Sequence, residues 1–168
     1  MKKIAKYKAD EDFPARKVSF CAAESLADVP ELIRPSDSHF ALLIVLDGGK
    51  FENELIYAIA EKLLAKGMVY ACVWGPDSER VHDIIDQAKW TRNPDETDDN
   101  VVMTTWHANE TLGQAVFYFL WCTMPQHDYE QSCHDWVAAV IGNPVWEKKV
   151  RTKLTAEKRK VLKERNGR

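Results

Sequence analysis

The segment Ala41-Leu-Leu-Ile-Val-Leu46 is apolar without interruption and then breaks at Asp47-Gly48-Gly49. A strand reads this way when both of its faces are buried, and such strands belong to parallel sheets covered by helices. The same strand–break–helix pattern recurs three times. Met68–Trp74 ends at Gly75-Pro76, Val101–Thr105 ends before Trp106-His107, and Trp136–Ile141 ends at Gly142-Asn143-Pro144. Each break is followed by a helical pattern. After the first, Leu55, Ile56, Ile59, Ala60, Leu63 and Leu64 form one stripe at 3.6-residue spacing, with Glu52 and Glu54 in its first turn and Lys62 and Lys66 in its last, as the helix dipole favours. After the second, Asp77 or Ser78 is placed to cap a helix whose core face is Val81, Ile84, Ile85 and Ala88. After the third, Asn109 is placed to cap a helix running to about Thr123. A weaker stripe of Val150, Leu154 and Val161 follows the fourth.

Strand and helix thus alternate four times with no hairpin signal between them. The expectation is a three-layer α/β domain with a four-stranded, mainly parallel sheet near Phe40–Leu46, Val69–Trp74, Val101–Thr105 and Trp136–Ile141, and helices on both faces. Residues 1–38 fit less well and are read as an N-terminal extension packed on the domain, with Lys17–Cys21 an added edge strand and Asp28–Ile33 a short helix. Residues 39–146 form the α/β domain and 147–168 a basic C-terminal helix.

Charge is unevenly spread. The net charge is −3, but residues 147–168 hold ten Lys and Arg against three Glu, a local +7 that leaves the remainder at −10. An acidic body disfavours nucleic-acid phosphates and favours basic proteins. Nucleic acid is expected only through the basic tail Lys148–Arg168. No apolar run approaches the about 20 residues of a membrane span. The start, Met1-Lys2-Lys3-Ile4, lacks the apolar core of an export signal. A cytoplasmic setting with four reduced cysteines is the expectation.

In open parallel sheets ligands bind beyond the carboxyl ends of the strands. Asp47, Trp74, Asp77, His107, Asn143 and Trp146 are therefore the candidate binding residues, expected within one concave region, and at least one of the rim tryptophans, Trp74, Trp106 or Trp146, is expected to be partly exposed. If the rim tryptophans are buried, the acidic helix face of Asp77, Glu79, Asp83 and Asp86 becomes the better surface. His107, ahead of a helix, suits a base or acceptor, with Asp47 as its partner if the two strands are neighbours. No dinucleotide, P-loop, nucleophile-elbow or HExxH pattern is present, so no cofactor is expected and no catalytic set closes. The spacing of Cys122, His127, Cys133 and His134 fits zinc poorly, because adjacent Cys133 and His134 rarely both face one tetrahedral ion.

Together, Trp74-Gly75-Pro76-Asp77-Ser78-Glu79-Arg80-Val81-His82-Asp83, then Thr104-Thr105-Trp106-His107, then Gly142-Asn143-Pro144-Val145-Trp146, resemble a small bacterial family of Rossmann-like domains with no assigned activity. The resemblance spans roughly Phe40 to Trp146. It implies the fold and a bacterial cytosolic setting and brings no catalytic residues. Two functions follow from the residues themselves. The first is a protein-binding module, such as an immunity or accessory protein that neutralises or regulates a basic partner. The alternative is a small-molecule or nucleotide-binding enzyme at the carboxyl edge, with Asp47 and His107 as its polar pair. The missing catalytic set favours binding.

Overall fold

The computed structural model describes residues 1–7, 15–95, 97 and 100–166, with the backbone alone for 158–166. The chain opens with β1 (Lys2–Tyr7), β2 (Arg16–Ala23), a 3₁₀ turn at Leu26–Asp28 and α1 (Val29–Leu32). Then come β3 (His39–Val45), α2 (Asn53–Ala65), β4 (Met68–Trp74) and α3 (Ser78–Arg92). It closes with β5 (Met103–Trp106), α4 (Leu112–Trp121), β6 (Cys133–Ile141) and α5 (Pro144–Asn166).

Among the described residues the strands join one sheet in the order β1-β2-β6-β3-β4-β5. The four strands read from the sequence are present and mutually parallel. The sheet nevertheless has six strands, not four. β1 pairs antiparallel with β2, and β2 pairs parallel with β6. The segment expected as an edge strand, Lys17–Cys21, is therefore interior. β1 and β2 both fall within residues 1–38 and belong to the sheet itself.

The apolar run of β3 explains the layers. Phe40, Leu42 and Ile44 face one side, where they pack with Val29, Ile59, Leu63 and Ile85 of α1, α2 and α3. Ala41, Leu43 and Val45 face the other, with Phe119, Leu120, Val150 and Leu154 of α4 and α5. Each such aliphatic side chain contributes about 1.5–3 kcal/mol by leaving water. Val161, the last residue of the expected stripe on α5, has a side chain outside the described residues.

Two local readings are corrected. The cap of α4 is Thr111 rather than Asn109: its hydroxyl accepts from Gln114 N–H, and Gln114 Oε1 accepts from Thr111 N–H at 2.9 Å. This reciprocal pair satisfies two donors at once. β6 also starts at Cys133, three residues before the Trp136 expected from the sequence. Asp135 is buried there, and its carboxylate accepts from Ser36 Oγ and from the Ser36 and Asp37 N–H groups. With three donors on its Oδ2, it is tolerated inside a strand.

Candidate functional site at the carboxyl edge

Five parallel strands, β2, β6, β3, β4 and β5, end on the same edge of the sheet. The loops that leave this edge part to opposite faces. Those after β3 and β4 lead to α2 and α3, whereas those after β5 and β6 lead to α4 and α5. The six candidate residues therefore do not share one concave region but divide between the two faces.

On the α2–α3 side, Asp47 lies 3.5 Å from Lys50 Nζ. Asp77 adopts left-handed backbone, φ 61°, and its carboxylate accepts from Arg80 Nε at 2.6 Å instead of capping α3. Arg80 then fastens this corner. Its Nη2 donates to the Gly48 and Phe51 carbonyls at 2.6 and 3.2 Å, and its Nη1 donates to Asn53 Oδ1. Sequence reasoning gave Arg80 no role, although a cation three residues after Asp77 at a helix start was the available signal.

On the α4–α5 side, Trp74 and Trp146 meet edge to face with ring centroids 5.3 Å apart. Trp74 Nε1 donates to the Glu110 carbonyl at 2.9 Å. His107 is buried and lies against Tyr118, centroids 4.7 Å apart. Its Nδ1 sits 3.1 Å from Glu110 Oε2, close enough for attraction but not aligned as a hydrogen bond. Asn143 is occupied structurally, since its Oδ1 accepts from the Val145 and Trp146 N–H groups at the start of α5. The pairing of Asp47 with His107 does not form. β4 stands between β3 and β5, so the two strands are not neighbours.

The most chemically dense cluster includes residues that sequence reasoning did not select. Side chains alternate along β5, so Met103 joins the α4 side while Thr104 and Trp106 turn to α3. Thr104 Oγ1 donates to Asp86 Oδ1 at 2.6 Å and lies 3.0 Å from His82 Nε2. His82 Nδ1 is 3.0 Å from Asp83 Oδ1. Lys89 donates to the Val102 carbonyl and lies 3.5 Å from Asp86. The signal for these residues was present: His82 and Lys89 are seven apart on the apolar stripe of α3, and both are buried.

Asp83, His82 and Thr104 form a chain that superficially matches a nucleophilic triad. The threonine has a single hydroxyl hydrogen, and Asp86 accepts it. Asp86 thus competes with His82 for that proton, which sets the chain apart from a triad whose hydroxyl faces the base alone. Over this network lies Trp106, its ring 4.5 Å from His82 by centroids and 46% exposed. Trp74 and Trp146 are half-buried by comparison. Trp106 is one of two exposed tryptophans on this face of the sheet, the other being Trp90 near the end of α3, 61% exposed.

The family model for the domain of unknown function DUF7684 matches residues 18–157. The chain belongs to that family. The match runs from β2 into α5, so it includes all five parallel strands and their shared edge and leaves out β1. The comparison with curated proteins finds no match.

The remaining sequence candidates lie apart from this edge. His134 Nδ1 is 2.7 Å from Asp37 Oδ2, and Lys17 bonds the other oxygen of that carboxylate at 2.7 Å. Cys133 is buried and Cys122 exposed, while His127 stands in solvent 3.6 Å from Glu130. Among the described residues no group of three or more His, Cys, Asp or Glu is placed to hold a metal ion. Among them, too, no helix is long and apolar enough to cross a membrane.

Proposed function

We propose that this chain is a protein-binding module, of the kind that neutralises or regulates a basic partner as an immunity or accessory protein does in a bacterial cytosol. The observation that carries this reading is the exposed indole of Trp106 at the carboxyl end of β5, set on His82 between the acidic side chains of α3. Aromatic anchors of this kind dominate interface energetics. The acidic balance of residues 1–146 steers basic partners toward the module and away from phosphate backbones. The test is affinity capture on the immobilised full chain, followed by titration of the captured protein. The expected partner is basic, is released by raised salt, and loses at least about tenfold in affinity with Trp106→Ala or Asp83→Lys. A partner held equally by both variants, or an acidic one, overturns the reading.

One observation favours the alternative of a small-molecule or nucleotide site. His107 is buried with its Nδ1 unbonded beside Glu110, Trp74 and Tyr118. On that reading a nucleotide or metabolite quenches the Trp74–Trp146 pair saturably, His107→Gln abolishes the response, and Trp106→Ala leaves it unchanged.

A further inference from the structure

The two outer strands of this sheet are treated differently. β1 carries Lys2, Lys3 and Lys6, and its pairing is irregular between Lys3 and Ala5. Charged lysines and local irregularity are the usual devices that stop an edge strand from recruiting another chain. β5 has neither. Its sequence, Met103-Thr104-Thr105-Trp106, holds no charge and no proline, and its register with β4 is regular from end to end.

The direction of the β5 main chain follows from one bond. His107 N–H donates to the Val73 carbonyl at 3.0 Å, across to β4. Main-chain groups alternate along a strand, so Met103 and Thr105 also address β4, while Thr104 and Trp106 turn their N–H and C=O groups away from the sheet. The side chains of these same two residues are fixed on α3, Thr104 by Asp86 and His82, Trp106 by the His82 ring. The outward main chain is thus held in extended form beside an exposed indole.

The charge around the edge selects the occupant. Asp83 is 70% exposed at its side chain, and Asp86 lies one turn further along α3. The connection that precedes β5 exposes Asp95. A second copy that offers its own β5 brings the same acids and is repelled. A second copy that offers β1 brings a ladder interrupted at Lys3 and Ala5. We propose that β5 accepts an extended basic segment of a partner protein as an added strand, with Thr104 and Trp106 supplying the ladder and the Trp106 ring covering one of its side chains. This rests on the protein-binding reading above and specifies how that binding is made.

The experiment uses the full chain, isotopically labelled, with two probes. One is a short acetylated and amidated peptide of alternating lysine and valine; the other is the same peptide N-methylated at alternate residues, which keeps the charge and cannot form a ladder. Amide hydrogen exchange is read by NMR. The plain peptide is expected to slow exchange at Thr104 and Trp106 by at least about tenfold, and the methylated peptide to leave both unchanged. Trp106→Ala is expected to weaken the plain peptide by about fivefold or more while the thermal midpoint stays put. Equal binding of the two peptides, or binding without protection at these two amides, overturns strand addition. Protection of both amides without peptide, rising with protein concentration, makes the occupant a second copy and overturns the proposal for a partner. Trp106→Pro, which removes an outward N–H, separates the two levels of the argument. If it still holds the captured basic partner at full affinity, strand addition fails and the module reading stands; if no basic partner binds even the unaltered chain, the module reading itself fails.

Discussion

Replacement of Gly75 by alanine tests how the carboxyl edge is built. Gly75 has φ +131°, a region that side chains other than glycine rarely enter. A Cβ built there falls 1.9 Å from the Leu46 carbonyl oxygen and 3.0 Å from its carbon. A relaxed carbon–oxygen contact is about 3.3 Å, so the backbone must retreat by more than about 1 Å. Two hydrogen bonds flank the contact and resist that retreat: Leu46 N–H to the Trp74 carbonyl at 3.1 Å, and Gly48 N–H to the Pro76 carbonyl at 2.8 Å. The backbone conformation alone costs about 1–3 kcal/mol for a residue with a side chain. Loss of one flanking bond adds about 1 kcal/mol. Gly75→Ala is thus expected to destabilise the protein by about 2–4 kcal/mol, a large share of a typical 5–15 kcal/mol. The control is Gly49→Ala, three residues after Leu46. Its Cβ would meet nothing nearer than Asp47 Oδ1 at 3.6 Å, and its φ is not positive. That change is expected to be neutral or to stabilise by up to about 1 kcal/mol, through the unfolded chain. Urea denaturation followed by tryptophan fluorescence measures both. Equal midpoints for the two variants would refute the argument that this contact holds the edge together.

Thiol labelling of the native protein at neutral pH is expected to modify Cys122 rapidly and the other three only after denaturation. Burial pushes the Cys21 and Cys72 thiols up to about 11 and the Cys133 thiol to about 12, whereas Cys122 is exposed; two or more fast sites would count against the core packing. Acid is expected to destabilise in two stages. Burial lowers His39, so folding favours its neutral form, and that contribution is lost as pH falls from about 6.5. Burial tends to raise Asp37, but its bonds from Lys17 and His134 outweigh this and hold it low, so its contribution is present above about 4 and lost on further acidification. Thermal midpoints across this range check both stages; Lys17→Met should weaken the second, and a flat profile would contradict both. Thr111→Ala is expected to cost about 1 kcal/mol through loss of the α4 cap, again by urea titration, and an unchanged midpoint would deny Thr111 that role.

Of the four strands that were legible, β3, β4 and β6 are buried on two faces, whereas β5 was read although none of its residues is buried, and the mostly buried β2 was read only as an edge. Strands buried on two faces leave an uninterrupted apolar run, as in Ala41–Leu46, whatever their neighbours. β1 leaves no such trace, because Lys2, Lys3 and Lys6 face water and only Ala5 of the strand is buried. The start of β6 was hidden by Asp135, a residue that reads as a loop until Ser36 and Asp37 are seen to bond it. The residues after each strand were identifiable in advance, but the pairing of Asp47 with His107 required a strand order that no local pattern encodes. The missed joining of His82 and Thr104 to Asp86, itself read only as part of an acidic helix face, has the same origin: its parts lie on a helix and an edge strand that meet only once the chain is folded.

β6 lies between β2 and β3 yet is the last strand in the chain. A ribosome that has released everything up to Ser132 has therefore delivered two half-sheets, β1-β2 and β3-β4-β5, with no strand to join them. Until residues 133–141 emerge, β2 and β3 each present an unpaired inner edge, and β3 among them is wholly apolar after His39. Closure depends on contacts of long sequence separation, such as Lys17 with Asp135, which form late. During that interval the nascent chain is most open to strand exchange with a second copy or to capture by a chaperone. A stop anywhere before β6 is complete would leave it there permanently, and its product should aggregate or be degraded rather than persist as a smaller folded domain.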